Sequence, residues 1–178
     1  MKTSDFYYDL PHELIAQTPL ENRQKSRMMV LDRSKAGVEH KIFENIVDYI
    51  NPGDTLVLND TKVIPARLFG HRKGKEEKIE ILLLKQLKDD KWQTLVKPGK
   101  KCKIGEVIEF SDKLSLEVID ILEDGQRIVE FKYDGIFNEI LDQIGLMPLP
   151  PYIHESLKDN DRYQTVYAKY NGSAAAPT

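Results

Sequence analysis

Residues 66 to 133 constrain the fold more than any other part of this chain. Gly70, Gly74, Asp89-Asp90, Pro98-Gly99, Gly105, Ser111-Asp112 and Asp124-Gly125 cut the stretch into short pieces. The pieces Lys78 to Leu87, Trp92 to Lys97, Val107 to Phe110, Leu114 to Ile121 and Arg127 to Tyr133 are rich in Ile, Val, Leu and Phe. In several of them apolar residues alternate with charged ones, as with Leu116, Val118 and Ile128. That period of two marks strands with one buried face. Five or six such strands with turns at this spacing predict a small antiparallel barrel or sandwich.

The flanks read differently. Asp9 to Gln17 has a short helical pattern, with Pro11 in its first turn and Pro19 as its stop. Arg27 to Asp32 reads as a strand that ends in a turn over Asp32 to Gly37. Ile42, Phe43, Ile46, Val47 and Ile50 fall at helical spacing, and Pro52-Gly53-Asp54 ends that segment. Thr55 to Asn59 is a continuous apolar run, consistent with a buried strand. Asp134 to Ile144 returns to helical spacing and stops at Gly145. From Gly145 on there is little apolar periodicity, and Asn171 to Thr178 closes with neither helix nor strand. The expected fold class is therefore a mixed-sheet α/β domain, from residues 1–64 and 134–178, with an antiparallel β-barrel inserted at 65–133.

Composition narrows the chemistry. The 178 residues carry a net charge of -3, which gives no general field for polyanions, so nucleic acid would have to meet a local patch. The single cysteine, Cys102, excludes an internal disulfide and any cysteine-based metal cluster, and it points to a reducing compartment. His12, His40, His71 and His154 are scattered without ligand spacing, so no metal is expected. There is no N-terminal apolar h-region and no run near the roughly 18 apolar residues of a membrane span. A soluble, cytoplasmic protein is the expectation, with no membrane partner.

Four polar clusters and one single arginine are candidates for chemistry. Asn59-Asp60-Thr61-Lys62 follows the apolar run, and ligands collect at strand ends in α/β sheets. An Asx-type turn is the alternative. Arg67, between Ala66 and Leu68, either clamps a carboxylate or phosphate or faces solvent. Arg23, Ser26 and Arg27 lie in a dense polar loop that suits an anion or plain solvation. Lys97, Lys100, Lys101 and Lys103 give four lysines in seven residues, a local charge that phosphate backbones need, or else a solvated hairpin turn. Near the end, Arg162, Tyr163, Gln164 and Thr165 mix guanidinium, ring, amide and hydroxyl as base recognition requires, after the stiff segment Met147-Pro148-Leu149-Pro150-Pro151-Tyr152-Ile153.

Several blocks in order carry a resemblance: Tyr8-Asp9-Leu10-Pro11, Leu14-Ile15-Ala16-Gln17, Arg23 with Ser26-Arg27, Asn59-Asp60-Thr61 with Pro65-Ala66-Arg67-Leu68, Met147 to Ile153, Asp161 to Ala168, and Gly172-Ser173 with Ala175-Ala176-Pro177-Thr178. Together they resemble the S-adenosylmethionine:tRNA ribosyltransferase-isomerases of queuosine synthesis. Ala174 stands where the family pattern has valine. The family pattern also runs on past Thr178 into a second half, so the chain resembles the N-terminal half, and the C-terminal half of the α/β domain would be absent.

The resemblance implies transfer and isomerisation of the ribosyl moiety of S-adenosylmethionine onto 7-aminomethyl-7-deazaguanine at the tRNA wobble position. Epoxyqueuosine forms, and adenine and methionine leave. It implies no cofactor, since S-adenosylmethionine is a substrate, and a monomer in full-length form. Side-chain chemistry on the matching positions then assigns expected roles. Asp60 is the base or charge partner, Arg67 grips a carboxylate or phosphate, and Asn59 and Thr61 hold the ribose. Arg23, Ser26, Arg27, Arg162, Tyr163, Gln164, Thr165 and Ser173 bind substrate, and Lys97, Lys100, Lys101 and Lys103 contact tRNA. The competing expectation is a catalytically incomplete fragment acting at most as an RNA-binding module.

Overall fold

A computed structural model describes residues 1–35 and 37–175; Ala36 and the Ala176-Pro177-Thr178 end of the last family-like block lie outside the described residues. The chain forms two compact units, one of Met1–Leu58 with Pro151–Lys158 and one of Asn59–Pro150 with Asp159–Thr178.

In the first unit, strands β1 (Arg27–Asp32) and β2 (Gly37–Ile42) form an antiparallel hairpin in which Arg27 faces Ile42 and Asp32 faces Gly37. The helix expected over Asp9 to Gln17 contracts to a 3-10 turn at His12–Leu14, and the one expected over Ile42 to Ile50 is a 3-10 helix at Phe43–Tyr49. Pro11 and Pro19 leave too few residues between them for an α-helical ladder to grow past its costly nucleus. The side-chain amide of Gln17 ties this unit's two segments together: Nε2 donates to the Tyr152 carbonyl (3.0 Å), and Oε1 accepts from the His154 N–H (2.8 Å). The Thr55 to Asn59 run is not a strand, and Leu56, Val57 and Leu58 are exposed. An apolar run is buried only when neighbouring strands or helices cover it, and no described strand pairs with this one.

The second unit holds every buried hydrophobic side chain among the described residues. Its strands are β3 (Thr61–Val63), β4 (Arg67–Arg72), β5 (Lys78–Gln86), β6 (Lys91–Lys97), β7 (Val107–Ser111), β8 (Leu114–Ile121) and β9 (Arg127–Tyr133). Helix α1 (Phe137–Ile144) and strand β10 (Tyr170–Ser173) follow. Six strands close an antiparallel barrel in the order β4-β5-β6-β9-β8-β7, sealed by the pairing of His71 with Glu109 and Arg72 with Ile108. The inward phase carries Leu68, Ile79, Ile81, Leu83, Ile108, Leu116, Val118, Val129 and Phe131. Gly70 does not break the chain as the sequence implied; it sits inside β4, where a Cβ would lie 2.5 Å from the Glu109 carbonyl oxygen of β7. The missing side chain lets two strands approach at the closure.

Helix α1 buries Ile140 and Leu141, and its Phe137 ring lies 5.0 Å from Phe131, 5.2 Å from Tyr133 and 5.8 Å from Trp92. Gly145 ends α1 without a left-handed turn (φ -78°). It is needed because any Cβ there would strike the Pro65 carbonyl. The C-terminal segment, read as unstructured, forms β10, which pairs in parallel with β3. A mixed α/β architecture with a small closed barrel results.

Candidate functional site

Asn59, Asp60 and Thr61 make the Asx turn that their side chains dictate. Asn59 Oδ1 accepts from the Thr61 N–H (3.0 Å) and from its hydroxyl (2.6 Å). The Asp60 carbonyl accepts from the N–H groups of Lys169 (2.6 Å) and Tyr170 (3.2 Å), so this turn is fastened to the C-terminal segment while the Asp60 carboxylate remains exposed. The pairing continues as Tyr170 with Thr61 and Asn171 with Lys62, and the Ile64 N–H reaches the Ser173 carbonyl (2.9 Å).

Gln164 is buried against β3. Its Oε1 accepts from the Val63 N–H (2.9 Å) and its Nε2 donates to the Val63 carbonyl (2.7 Å), as a neighbouring strand would. The amide expected to read a base is thus engaged by the backbone. Beside it, Tyr163 OH donates to the Pro148 carbonyl (3.4 Å), and Arg162 is half-buried in the 3-10 turn Asn160–Tyr163. The Thr165 hydroxyl is buried with no hydrogen-bond partner among the described residues. The Ser173 hydroxyl donates to the Ala175 carbonyl (2.6 Å).

Arg67 is half-buried at the start of β4. Its Nε stands 3.0 Å from Glu80 Oε1 without a well-aligned N–H, an ion pair and not a hydrogen bond, and Nη2 donates to the Leu149 carbonyl (3.2 Å). The guanidinium therefore holds the proline-rich segment to the barrel.

Near the β3–β10 pair a cavity of about 230 Å³ opens. It is lined by the apolar Val63, Ile64, Pro65, Leu141 and Met147 and by the polar Lys62, Asn138, Asp142, Asn160, Asp161 and Asn171. Of these six polar residues, sequence reasoning took up Lys62 and Asp161 and missed the other four. Asn138 and Asp142 stand four apart on α1 and read as a helix's solvent face, while Asn160 and Asn171 lie in a segment without periodicity. A larger and more open depression of about 480 Å³ beside His71, Glu109, Ser111 and Lys132 contains none of the residues assigned a catalytic, substrate-binding or tRNA-binding role from sequence.

The lysine cluster runs from the end of β6 through a 3-10 turn at Gly99–Lys101. Lys101 Nζ is 2.8 Å from Glu77 Oε2, and Glu77 also pairs with Arg72. The bond from Lys101, helped by Arg72, holds the Glu77 carboxyl below its usual range. Lys97, Lys100 and Lys103 are exposed and form no ion pair among the described residues. Cys102 is fully buried, and that burial pushes its thiol up against the opposing pull of Arg127.

Arg23, Ser26 and Arg27 belong to the first unit. Arg23 opens the 3-10 turn Arg23–Lys25, the Ser26 N–H closes it on the Arg23 carbonyl (3.1 Å), and Arg27 begins β1 with its side chain exposed. No described helix is long and apolar enough to cross a membrane.

The model of the family described as "Queuosine biosynthesis protein" matches residues 3–178. The chain is 64% identical over 178 residues to the S-adenosylmethionine:tRNA ribosyltransferase-isomerase of Finegoldia magna, covering all of this chain and 51% of that protein. It is 59% identical over 179 residues to the protein of the same name from Clostridioides difficile, of which it covers 52%. A crystal structure of S-adenosylmethionine tRNA ribosyltransferase from Thermotoga maritima shares 50% identity, covers 72% of this chain and 44% of that one, and superposes with a TM-score of 0.35. The chain spans about half the length of the curated relatives it matches. Since the family match extends through nearly every residue, the chain belongs to the queuosine biosynthesis protein family.

Proposed function

We propose that this chain supplies the N-terminal half of a cytoplasmic S-adenosylmethionine:tRNA ribosyltransferase-isomerase, monomeric at full length. The reaction moves the ribosyl moiety of S-adenosylmethionine onto 7-aminomethyl-7-deazaguanine in tRNA, isomerises it to epoxyqueuosine, and releases adenine and methionine. The observation that carries this reading is the fastening of the Asn59-Asp60-Thr61 turn to Lys169 and Tyr170, which joins two distant sequence blocks in one place.

On this reading the sulfonium is its own activating group, and S-adenosylmethionine is a substrate with no further cofactor needed. A carboxylate removes the proton beside sulfur, and Asp60 is the exposed carboxylate on the fastened turn. Asn59 and Thr61 set its backbone. Gln164 and Arg67 position the surrounding segments through their backbone contacts. Lys97, Lys100 and Lys103 meet tRNA phosphates, which position the substrate without reading its sequence.

In a protein carried to the length of its relatives, Asp60→Asn is expected to cut methionine release by about 100-fold or more, the scale of general-base catalysis, with tRNA affinity unchanged. Undiminished release would remove Asp60 from the chemistry. A second reading is favoured by one observation: among the described residues, all buried hydrophobics lie in the second unit. The barrel thus has a core of its own, and this chain alone acts as an RNA-binding module. Methionine release by the 178-residue chain would refute that alternative, whereas tRNA binding without release supports it.

A further inference from the structure

The lysine turn is held from inside the barrel. Arg127 opens β9 in the same inward phase as Val129 and Phe131, a position that alternation reserves for apolar residues. It is 9% exposed. Among the described residues no carboxylate pairs with it. Its guanidinium donates instead to three backbone carbonyls: Nε to Cys102 (3.0 Å), Nη2 to Gly99 (2.8 Å) and Nη1 to Gly125. Two of the three lie inside the Lys97 to Lys103 segment, and the Cys102 N–H returns to the same Gly99 carbonyl (3.2 Å). A planar fork of donors can serve three carbonyls set in different directions, which a single ammonium cannot. Carbonyls satisfy the donors without cancelling the charge, so a full positive charge also sits beneath the turn.

We propose that Arg127 is a positioning residue for polyanion recognition, a buried clasp that fixes the turn so that Lys97, Lys100 and Lys103 present a preset cationic face to RNA phosphates. This rests on the reading that the lysine turn meets tRNA. The clasp does not touch RNA; it removes the ordering cost that a free loop would otherwise impose on binding.

Binding of a tRNA transcript is measured by fluorescence anisotropy across a salt series, using the intact chain. Each lost phosphate contact lowers the slope of log affinity against log salt by about 0.7 to 0.9. The double variant Lys100→Ala/Lys103→Ala should lose about two such steps. Arg127→Lys keeps the net charge and every lysine, yet should lose at least about one step of slope and about tenfold in affinity. Gly99→Ala keeps Arg127 too. Its Cβ would stand 3.3 Å from Nη2 and push the guanidinium a few tenths of an ångström off its present carbonyl contacts, so it should shift the slope in the same direction by less than Arg127→Lys, with the thermal midpoint close to wild type. If the lysine variant weakens binding while Arg127→Lys and Gly99→Ala keep the wild-type slope, the clasp is overturned and the RNA reading stands. If the lysine variant binds as wild type, both fall. Should Arg127→Lys fail to fold, Gly99→Ala decides.

Discussion

Replacing Gln164 with Leu tests how the candidate site is held. Gln164 is 6% exposed and Val63 is 1% exposed, so neither end of the amide–backbone pair has ready access to water. Leucine keeps roughly the side-chain volume but leaves the Val63 N–H and carbonyl without partners. An unmade buried polar group costs about 1–3 kcal/mol, so two of them cost about 2–6 kcal/mol. Water entering from the neighbouring cavity recovers part of this, which leaves an expected loss of about 2–4 kcal/mol. At about 2–4 °C per kcal/mol for a chain of this size, the unfolding midpoint should fall by about 4–16 °C.

Trp92 is the only tryptophan and is buried in the barrel unit, so its fluorescence follows that unit. Hydrogen exchange at the Val63 amide gives a local readout. It should accelerate in Gln164→Leu more than exchange at Val129, deep in β9. Gln164→Glu should fall between Leu and wild type, since one carboxylate oxygen still accepts from the Val63 N–H while the other faces the Val63 carbonyl. A midpoint within about 0.5 kcal/mol of wild type, with unchanged Val63 exchange, would refute the account of Gln164 as a strand substitute.

Two further outcomes follow from the barrel. Gly70→Ala should destabilise by about 1–3 kcal/mol in Trp92-monitored urea unfolding, because its Cβ has to part β4 from β7; wild-type stability would mean the closure is looser than described. The Glu77 carboxyl titrates below its usual range, so its contribution is full above the ordinary carboxylate range and is lost as pH falls through the lowered value. Glu77→Gln should therefore flatten the acid limb of the stability–pH curve, and superimposable curves for the two proteins would contradict the Lys101–Glu77 pairing.

The barrel was legible because alternation is a local signal: Leu116 and Val118 face inward for the reason their spacing implies. Helix α1 was legible in the same way, down to its end at Gly145. Non-local pairing was not legible. Tyr170-Asn171-Gly172-Ser173 has no strand pattern, and it becomes β10 only because β3 lies beside it. Leu56, Val57 and Leu58 show the converse, since apolarity signals a wish for burial and supplies no partner. In the site, the Asx turn at Asn59 could be read from side-chain chemistry, whereas the Lys169 and Tyr170 amides on the Asp60 carbonyl could not. Arg127 was invisible because a charged residue at a strand start normally reads as solvated.

A two-stranded parallel pair is too small to be stable by its own ladder. The β3–β10 pair must therefore take its geometry from groups outside it, and Gln164 supplies them on the β3 side; Arg67 and Arg127 fasten other backbone segments in the same manner. Gln164 closes both backbone groups of Val63, Arg67 draws in the Leu149 carbonyl, and Arg127 gathers the carbonyls of Gly99, Cys102 and Gly125. Each commits a polar side chain to backbone, and Gln164 and Arg67 do so at positions where the sequence suggested ligand contacts. This separates two classes of variant. Removing the Gln164 amide should loosen the candidate site and lower the Trp92 midpoint together, while changing Asp60, whose exposed carboxylate forms no hydrogen bond or ion pair among the described residues, should on the proposed reading alter turnover with the midpoint unmoved. A variant of Asp60 that unfolds the barrel would erase that distinction, and with it the proposed division of labour between the residues that shape the candidate site and Asp60 as its proposed base.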